Sequence, residues 1–271
     1  MTARDVIRIE TPDDPRIAAF RNIRERDLVG RAGQFVAEGE VVLRVLARAP
    51  RHRALALLIV EHRVAALGAL IARFPPEVPL YTLSQEVADA IAGFPLHRGL
   101  LALGERAPDP DVAALVDSLP ARSVVILACA IANHDNIGGI YRNAAAFGVG
   151  GVILDGACCD PLYRKAIRVS VGATLLVPTA RATSAGAALA VLRAHGFTPY
   201  ALSPQGAHTL KALVPAPRSA LVLGTEGPGL PAAILDQCET VAIPMANGFD
   251  SLNVATTSGI ALHHFLGGND A

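Results

Sequence analysis

SVVILACAIANHDNIGGIYRNAAAFGVGGVILD, residues 123–155, is the stretch on which the fold turns. Ser123–Ile131 is almost wholly apolar and rich in β-branched side chains, the composition of a parallel strand buried on both faces. Asn133–Asn136 makes a polar turn, residues 137–147 spell a short helix, and Gly148 stands where a C′ glycine would close it. GVILD, residues 151–155, is a second apolar run of strand length. Strand, helix and strand in this order predict an α/β fold with a parallel sheet.

The alternation continues downstream. Asp160 and Pro161 read as the N-cap and first-turn pair of a helix over LYRKAIRVSVGA, residues 162–173. TLLVP follows, then a helix over Ser184–His195 with Gly196 as its stop. TPYALS, SALVLG and TVAIP are further strands, and an apolar helix, SLNVATTSGIALHHFL (residues 251–266), closes the chain. Upstream, a strand is expected over 6–10 and a helix over 14–23. QFVAE leads into a helix whose Val41, Val42, Val45 and Leu46 share a face. LALLIVE, PLYTL and GLLALGE are strands, separated by helices around 65–74 and from a Ser84 cap to Phe94. Residues 106–122, with three prolines and several acids flanking a short helical stretch, differ in composition. The sequence thus divides into a small α/β domain (1–107), a linker (108–121) and a second α/β domain (122–271).

Of the 271 residues 52% are apolar and 18% charged, with a formal net charge of zero. That balance is expected of a soluble globular protein with ample core, and argues against a disordered chain. No apolar stretch is long enough to span a bilayer, and MTARDVIRIETPDD lacks the apolar core of a signal peptide. Cys129, Cys158, Cys159 and Cys238 form neither a Cys-x-x-Cys pair nor a zinc-finger spacing, so reduced thiols and a cytoplasmic address are expected. Neutrality does not advertise nucleic-acid binding, but the first 75 residues carry 13 Arg or Lys against 9 Asp or Glu. Arg21, Arg24, Arg26 and Arg31 lie close together there. A solvated face accounts for them on charge alone; a modest basic patch can also hold phosphates.

Three polar or glycine-rich segments are attached directly to apolar strands, where open α/β sheets place ligands. They are NHDNIGGIYRNAAAFG (133–148), LVLGTEGPGL (221–230) and IPMANGFDSLNVATTSG (243–259). Singly, each has an ordinary explanation: Gly224, Gly227 and Gly229 make a turn, Asn136 caps a helix, and Ser251 caps the last helix with Asn253 in its first turn. Residues 224–229 have neither the P-loop nor the dinucleotide glycine pattern. Glu226 within the loop disfavours a phosphate and suits a neutral or positive ligand centre.

Taken together and in order, the three segments resemble the motifs of SpoU-type (TrmH-type) RNA methyltransferases of the SPOUT superfamily. The first motif is matched by Asn136, Gly138, Arg142, Asn143, Ala144 and Phe147-Gly148. Leu223–Gly229 matches the second. The third is matched by Ile243-Pro244-Met245 and Ser251-Leu252-Asn253-Val254. RKAIRVSVGA resembles a further family segment. The resemblance covers residues 120–271, departing in the crowded ANGFD loop. It implies a C-terminal Rossmann-like parallel sheet with a deep trefoil knot, preceded by a small α/β RNA-binding domain. It also implies a homodimer that the last helix helps to form. GQFVAEGEVVLRVLA, with Phe35, Glu38 and Gly39, and LHRGLLAL carry a looser likeness to the family's RNA-binding domain.

The implied reaction takes a methyl group from S-adenosylmethionine to a ribose 2′-hydroxyl of RNA. No metal is needed, no metal-ligand cluster is visible, and no membrane is involved. Arg142 is given the central role. A guanidinium stays protonated, so it suits stabilising alkoxide charge and gripping a phosphate better than acting as a base. Asn136, Ser251, Asn253 and Glu226 complete the catalytic set. Leu223, Gly224, Gly227, Ile243, Met245, Ser251 and Leu252 are expected against the cofactor. Arg21, Arg24, Arg31, Phe35 and Glu38 are expected toward RNA. Ribosomal RNA is preferred; transfer RNA, methylation of a base nitrogen, and an RNA-binding protein without catalysis are the alternatives.

Overall fold

In the computed structural model, which describes residues 4–21, 25–30, 32–92, 99–225, 227–247 and 251–267, the apolar runs resolve into two units. One comprises residues 1–107 with 162–176, the other 108–161 with 177–271.

The first unit is built on β1 (Val6–Ile9), β2 (Gln34–Glu38), β3 (Arg53–Val60), β4 (Leu80–Leu83) and β5 (Leu100–Glu105), in the order β1-β4-β3-β5-β2. β1, β4 and β3 are parallel, and β5 runs antiparallel to β3 and β2. Around it stand α1 (Glu25–Gly30), α2 (Glu40–Leu46), α3 (Glu61–Val64), α4 (Gly68–Ile71) and α5 (Gln85–Ala92). The buried face of α2 keeps Val42, Val45 and Leu46 of the expected set and adds Leu43, whereas Val41 is 55% exposed. The helix expected over 14–23 is a 3-10 helix, Pro15–Phe20, capped by the Asp14 carboxylate, which accepts from the Arg16 amide at 2.9 Å. The helix expected around 65–74 is reduced to α4, with α3 before it and Leu67 between them in a bridge conformation (φ −97°, ψ 6°) ahead of Gly68. Phe94 lies outside the described residues.

The second unit opens with α6 (Val112–Asp117), inside the stretch expected as a linker. Asp111 caps it, and Val112, Leu115 and Val116 enter this unit's core. Its strands are β6 (Ser123–Ala128), β7 (Gly151–Leu154), β8 (Thr179–Arg181), β9 (Thr198–Leu202), β10 (His208–Thr209), β11 (Arg218–Leu223) and β12 (Glu239–Ala242). They form a seven-stranded sheet in the order β10-β12-β9-β11-β6-β7-β8, every pairing parallel. β6 is buried at every position, as its sequence requires. The helices are α7 (His134–Phe147), α8 (Arg164–Val169, grouped with the first unit), α9 (Ala185–Ala194), α10 (Ala232–Leu235) and α11 (Val254–Leu266). Gly148 closes α7 at φ 71°. Asp160 does not cap α8. Tyr163 holds that place without capping the helix through its side chain, and Asp160 accepts from Arg181 at 2.9 Å instead. Residues 173–175 turn as a 3-10 helix before β8. Among the described residues no helix is long and apolar enough to cross a membrane.

Candidate active site

The glycine segment leaves β11 and doubles back, so that Thr225 bridges Gly229. Gly224 sits at the closest point of this fold-back. A Cβ there would fall 2.8 Å from the backbone of Gly229 and Leu230, nearer than any side chain tolerates. The neighbouring strands β9 and β12 end beside it, and the segment before α11 arrives from the other side. Together they line a cavity of about 770 Å³, counting its open mouth. It lies at the carboxyl ends of parallel strands, the usual ligand position in open α/β sheets.

Leu223, Gly224, Gly227, Ile243, Met245, Ser251 and Leu252 all line this cavity. The structure therefore gathers every residue expected against the cofactor. It adds Leu202, Ser203 and Pro204 from the end of β9, and Thr257 from α11, which sequence reasoning missed. A signal for the first three exists: ALSPQG has the same break from apolar strand to polar turn as the segments singled out. Leucine, isoleucine, valine and methionine walls alternate with hydroxyls and exposed glycine backbone, and no described lining residue is charged. Such a lining suits a flat heterocycle with polar edges better than a phosphate group.

Helix α7 supplies the second part of the site. Asn133 caps it, accepting from the Asp135 amide at 2.8 Å. Asn136, expected in the turn, is inside the helix and buried. Asn253, expected in the first turn of the last helix, is instead its N-cap in place of Ser251. Its Oδ1 accepts from the Ala255 and Thr256 amides at 3.0 and 3.2 Å, and its Nδ2 donates to Asn136 Oδ1 at 2.8 Å. Further along α7, Asn143 Nδ2 donates to the Ala255 carbonyl at 2.7 Å and to Ser258 Oγ at 2.9 Å. Between these ties Gly139 lets the helices approach closely, since a Cβ there would meet that of Ala255 at 2.5 Å.

Arg142 is exposed, does not line the cavity, and has no hydrogen bond or ion pair with another described residue. Glu226 lies outside the described residues. The loop entering α7 is pinned from below: Asp155 Oδ1 accepts from the Ala130 and Ala157 amides at 3.0 Å, and Cys158 Sγ accepts from the Ile131 amide. That pin holds Ala130 at φ 55°. All four thiols are free. Burial pushes Cys158 up to about 12, and Cys159 and Cys238 to about 11, so they are inert rather than nucleophilic. No group of three His, Cys, Asp or Glu among the described residues could hold a metal ion.

The residues expected toward RNA are not gathered. Phe35 is fully buried, its ring edge-on to His52 at 5.4 Å, so its side chain serves the core of the first unit and cannot stack on a base. Glu38 is 7% exposed, with Arg164 at 3.6 Å, and is a buried carboxylate rather than a surface contact. Arg21 pairs with Asp13 at 2.8 Å. Arg24 and Arg31 lie outside the described residues.

Residues 123–263 match the SpoU rRNA Methylase family. A Mycobacterium bovis protein described as an uncharacterized tRNA/rRNA methyltransferase is 41% identical over 269 residues, covering 96% of this chain and 91% of its own length. A Synechocystis protein of the same description is 29% identical over 268 residues, covering 96% and 93%. Among solved structures, an AdoMet-bound rRNA methyltransferase from Sinorhizobium meliloti aligns with a TM-score of 0.82 at 22% identity, over 98% of this chain and 99% of its own. An RNA 2′-O ribose methyltransferase aligns at 0.77 and 24%, over 96% and 98%. At such identities these two alignments establish the fold.

Proposed function

The chain belongs to the SpoU rRNA methylase family, and from that premise we propose that it transfers a methyl group from S-adenosylmethionine to a ribose 2′-hydroxyl of structured RNA, ribosomal RNA by preference. The observation that carries this reading is the convergence of residues 223–229 and 243–257 on one cavity with no charged residue among its described lining, together with the tie from Asn253 to Asn136 on α7. That lining fits the methyl donor: apolar walls for the adenine, main-chain groups and hydroxyls for its polar edges. When bound there, the donor supplies an activated methyl group and a neutral leaving group.

The chain's own residues have two tasks. The first is alignment: Leu223–Thr225, Ile243–Met245 and Ser251–Leu252 fix the donor so that oxygen, carbon and sulfur lie in line, an effect worth several kcal/mol. The second is charge. Arg142 stabilises the alkoxide character that develops on the attacking oxygen and grips a neighbouring phosphate, remaining protonated throughout, while the hydroxyl proton passes to solvent water as the O–C bond forms and the C–S bond breaks. Asn136 and Asn253 hold each other and so fix the start of α11 against α7. Because Arg142 lies outside the cavity of its own chain, the reading includes a homodimer in which the working site is completed by pairing. It also includes the trefoil knot, a cytoplasmic location, and the amino-terminal unit as the RNA-docking half.

The test is Arg142→Ala with methylated RNA digested to nucleosides and analysed by mass spectrometry. The wild type should yield a 2′-O-methyl nucleoside. The variant should lose transfer by about 100-fold or more while retaining RNA binding. A base-methylated product, or a variant as active as the wild type, overturns the assignment.

A further inference from the structure

We infer that Asn143 is a positioning residue for methyl transfer, fixing the rotation of α7 so that Arg142 is aimed. This rests on the function proposed above. Arg142 has no hydrogen bond or ion pair of its own with another described residue, so its direction is set by the helix that carries it. A helix turns about 100° per residue, and a modest rotation of α7 about its axis therefore swings a long arginine side chain through several ångströms. Something must hold that rotation at the turn where Arg142 sits.

Asn143 is the next residue, on the face of α7 toward α11. Its single amide group donates twice across the gap, to the Ala255 carbonyl at 2.7 Å and to Ser258 Oγ at 2.9 Å. Ser258 in turn donates to the same carbonyl at 2.7 Å, closing a three-membered network. The side chain of Ser258 is itself buried, so water does not compete for these bonds. The Asn136–Asn253 bond fixes α7 two turns earlier. One tie leaves a helix free to pivot; two ties on one face do not. The far end of the network also touches the donor's side of the site, because Val254 and Thr257, neighbours of Ala255 and Ser258 on α11, line the cavity. Asn143 thus joins the wall of the cavity to the helix that carries the cation.

The isosteric Asn143→Asp removes the donor and keeps the shape. Its expected phenotype is a kcat about ten-fold lower or more, with KM for S-adenosylmethionine and the calorimetric affinity for S-adenosylhomocysteine changed by less than about threefold. Ser258→Ala, which removes one acceptor and leaves the carbonyl, should give a smaller loss in the same direction, also confined to kcat. Asn143→Asp or Ser258→Ala turning over at the wild-type rate refutes the role. So does a loss of donor affinity in step with kcat, which would mark general unfolding of the cavity. A wild-type chain that methylates no RNA refutes the function itself and this role with it; wild-type transfer with unimpaired variants refutes the role alone.

Discussion

At the scale of single residues, the site depends on side chains that do two jobs at once. Asn253 caps α11 with its oxygen and holds Asn136 with its nitrogen. Asn253→Ala forfeits a cap worth about 1 kcal/mol and removes a donor from a buried amide, worth about 1 kcal/mol or more. The expected loss is about 2 kcal/mol in urea unfolding, read as a lower midpoint with unchanged slope. Asn253→Asp keeps the cap and loses only the donor, and should fall about midway. A midpoint for Asn253→Asp equal to that of the wild type would show that the Asn136 bond contributes nothing. In sequence Ser251 and Asn253 are equally good caps; backbone angles chose between them, and no propensity encodes that. Phe35 illustrates the opposite failure. Its expected place toward RNA came from the loose likeness of GQFVAEGEVVLRVLA to a family segment, and the completed sheet shows it to be core.

Elements were legible where period and punctuation agree. β6, α7, β7, β9, β11 and β12 stand where apolar runs end in glycine, proline or polar turns. The differences are local: α2 buries Leu43 where Val41 was expected, and α6, the short helical stretch among the prolines after residue 107, enters the core of the second unit where a linker was expected. The pairing of α7 with α11 was invisible to any local pattern, because it depends on the absence of a side chain at Gly139. Alanine there would gain about 1 kcal/mol of helix propensity but drive its methyl into Ala255, an overpacking cost of about 1–3 kcal/mol. Gly139→Ala is therefore expected to unfold at lower urea than the wild type. Its methyl transfer should also fall, by more than the stability loss explains, because the ties from Asn136 and Asn143 are stretched together. A variant both stable and fully active would show that the close approach is incidental.

For the whole molecule, sequence motifs identified the cavity better than the charge pattern identified the RNA surface. Seven residues from two segments meet in one place, whereas Phe35 and Glu38 turn inward. Motifs specify chemistry at fixed spacing; a basic stretch specifies only an average field. The proposed homodimer has its own test. Light scattering should give about twice the 28.1 kDa of one chain. If the working site is completed by pairing, mixing inactive Arg142→Ala with inactive Gly224→Ala should restore part of the activity, since some mixed pairs carry one intact site. A monomeric mass, or mixtures that stay inactive, would argue that each chain works alone.

One feature of the architecture bears on how the protein is made. Leu162, Ile167 and Leu175 belong to the core of the first unit, although the chain has by then laid down β6 and β7 of the second. A nascent polypeptide leaving the ribosome thus cannot finish its leading half in order of synthesis. Until residue 176 emerges, that half carries an uncovered greasy strip, the kind of surface that trigger-type chaperones shield, and a fragment ending at residue 107 would keep it uncovered for good.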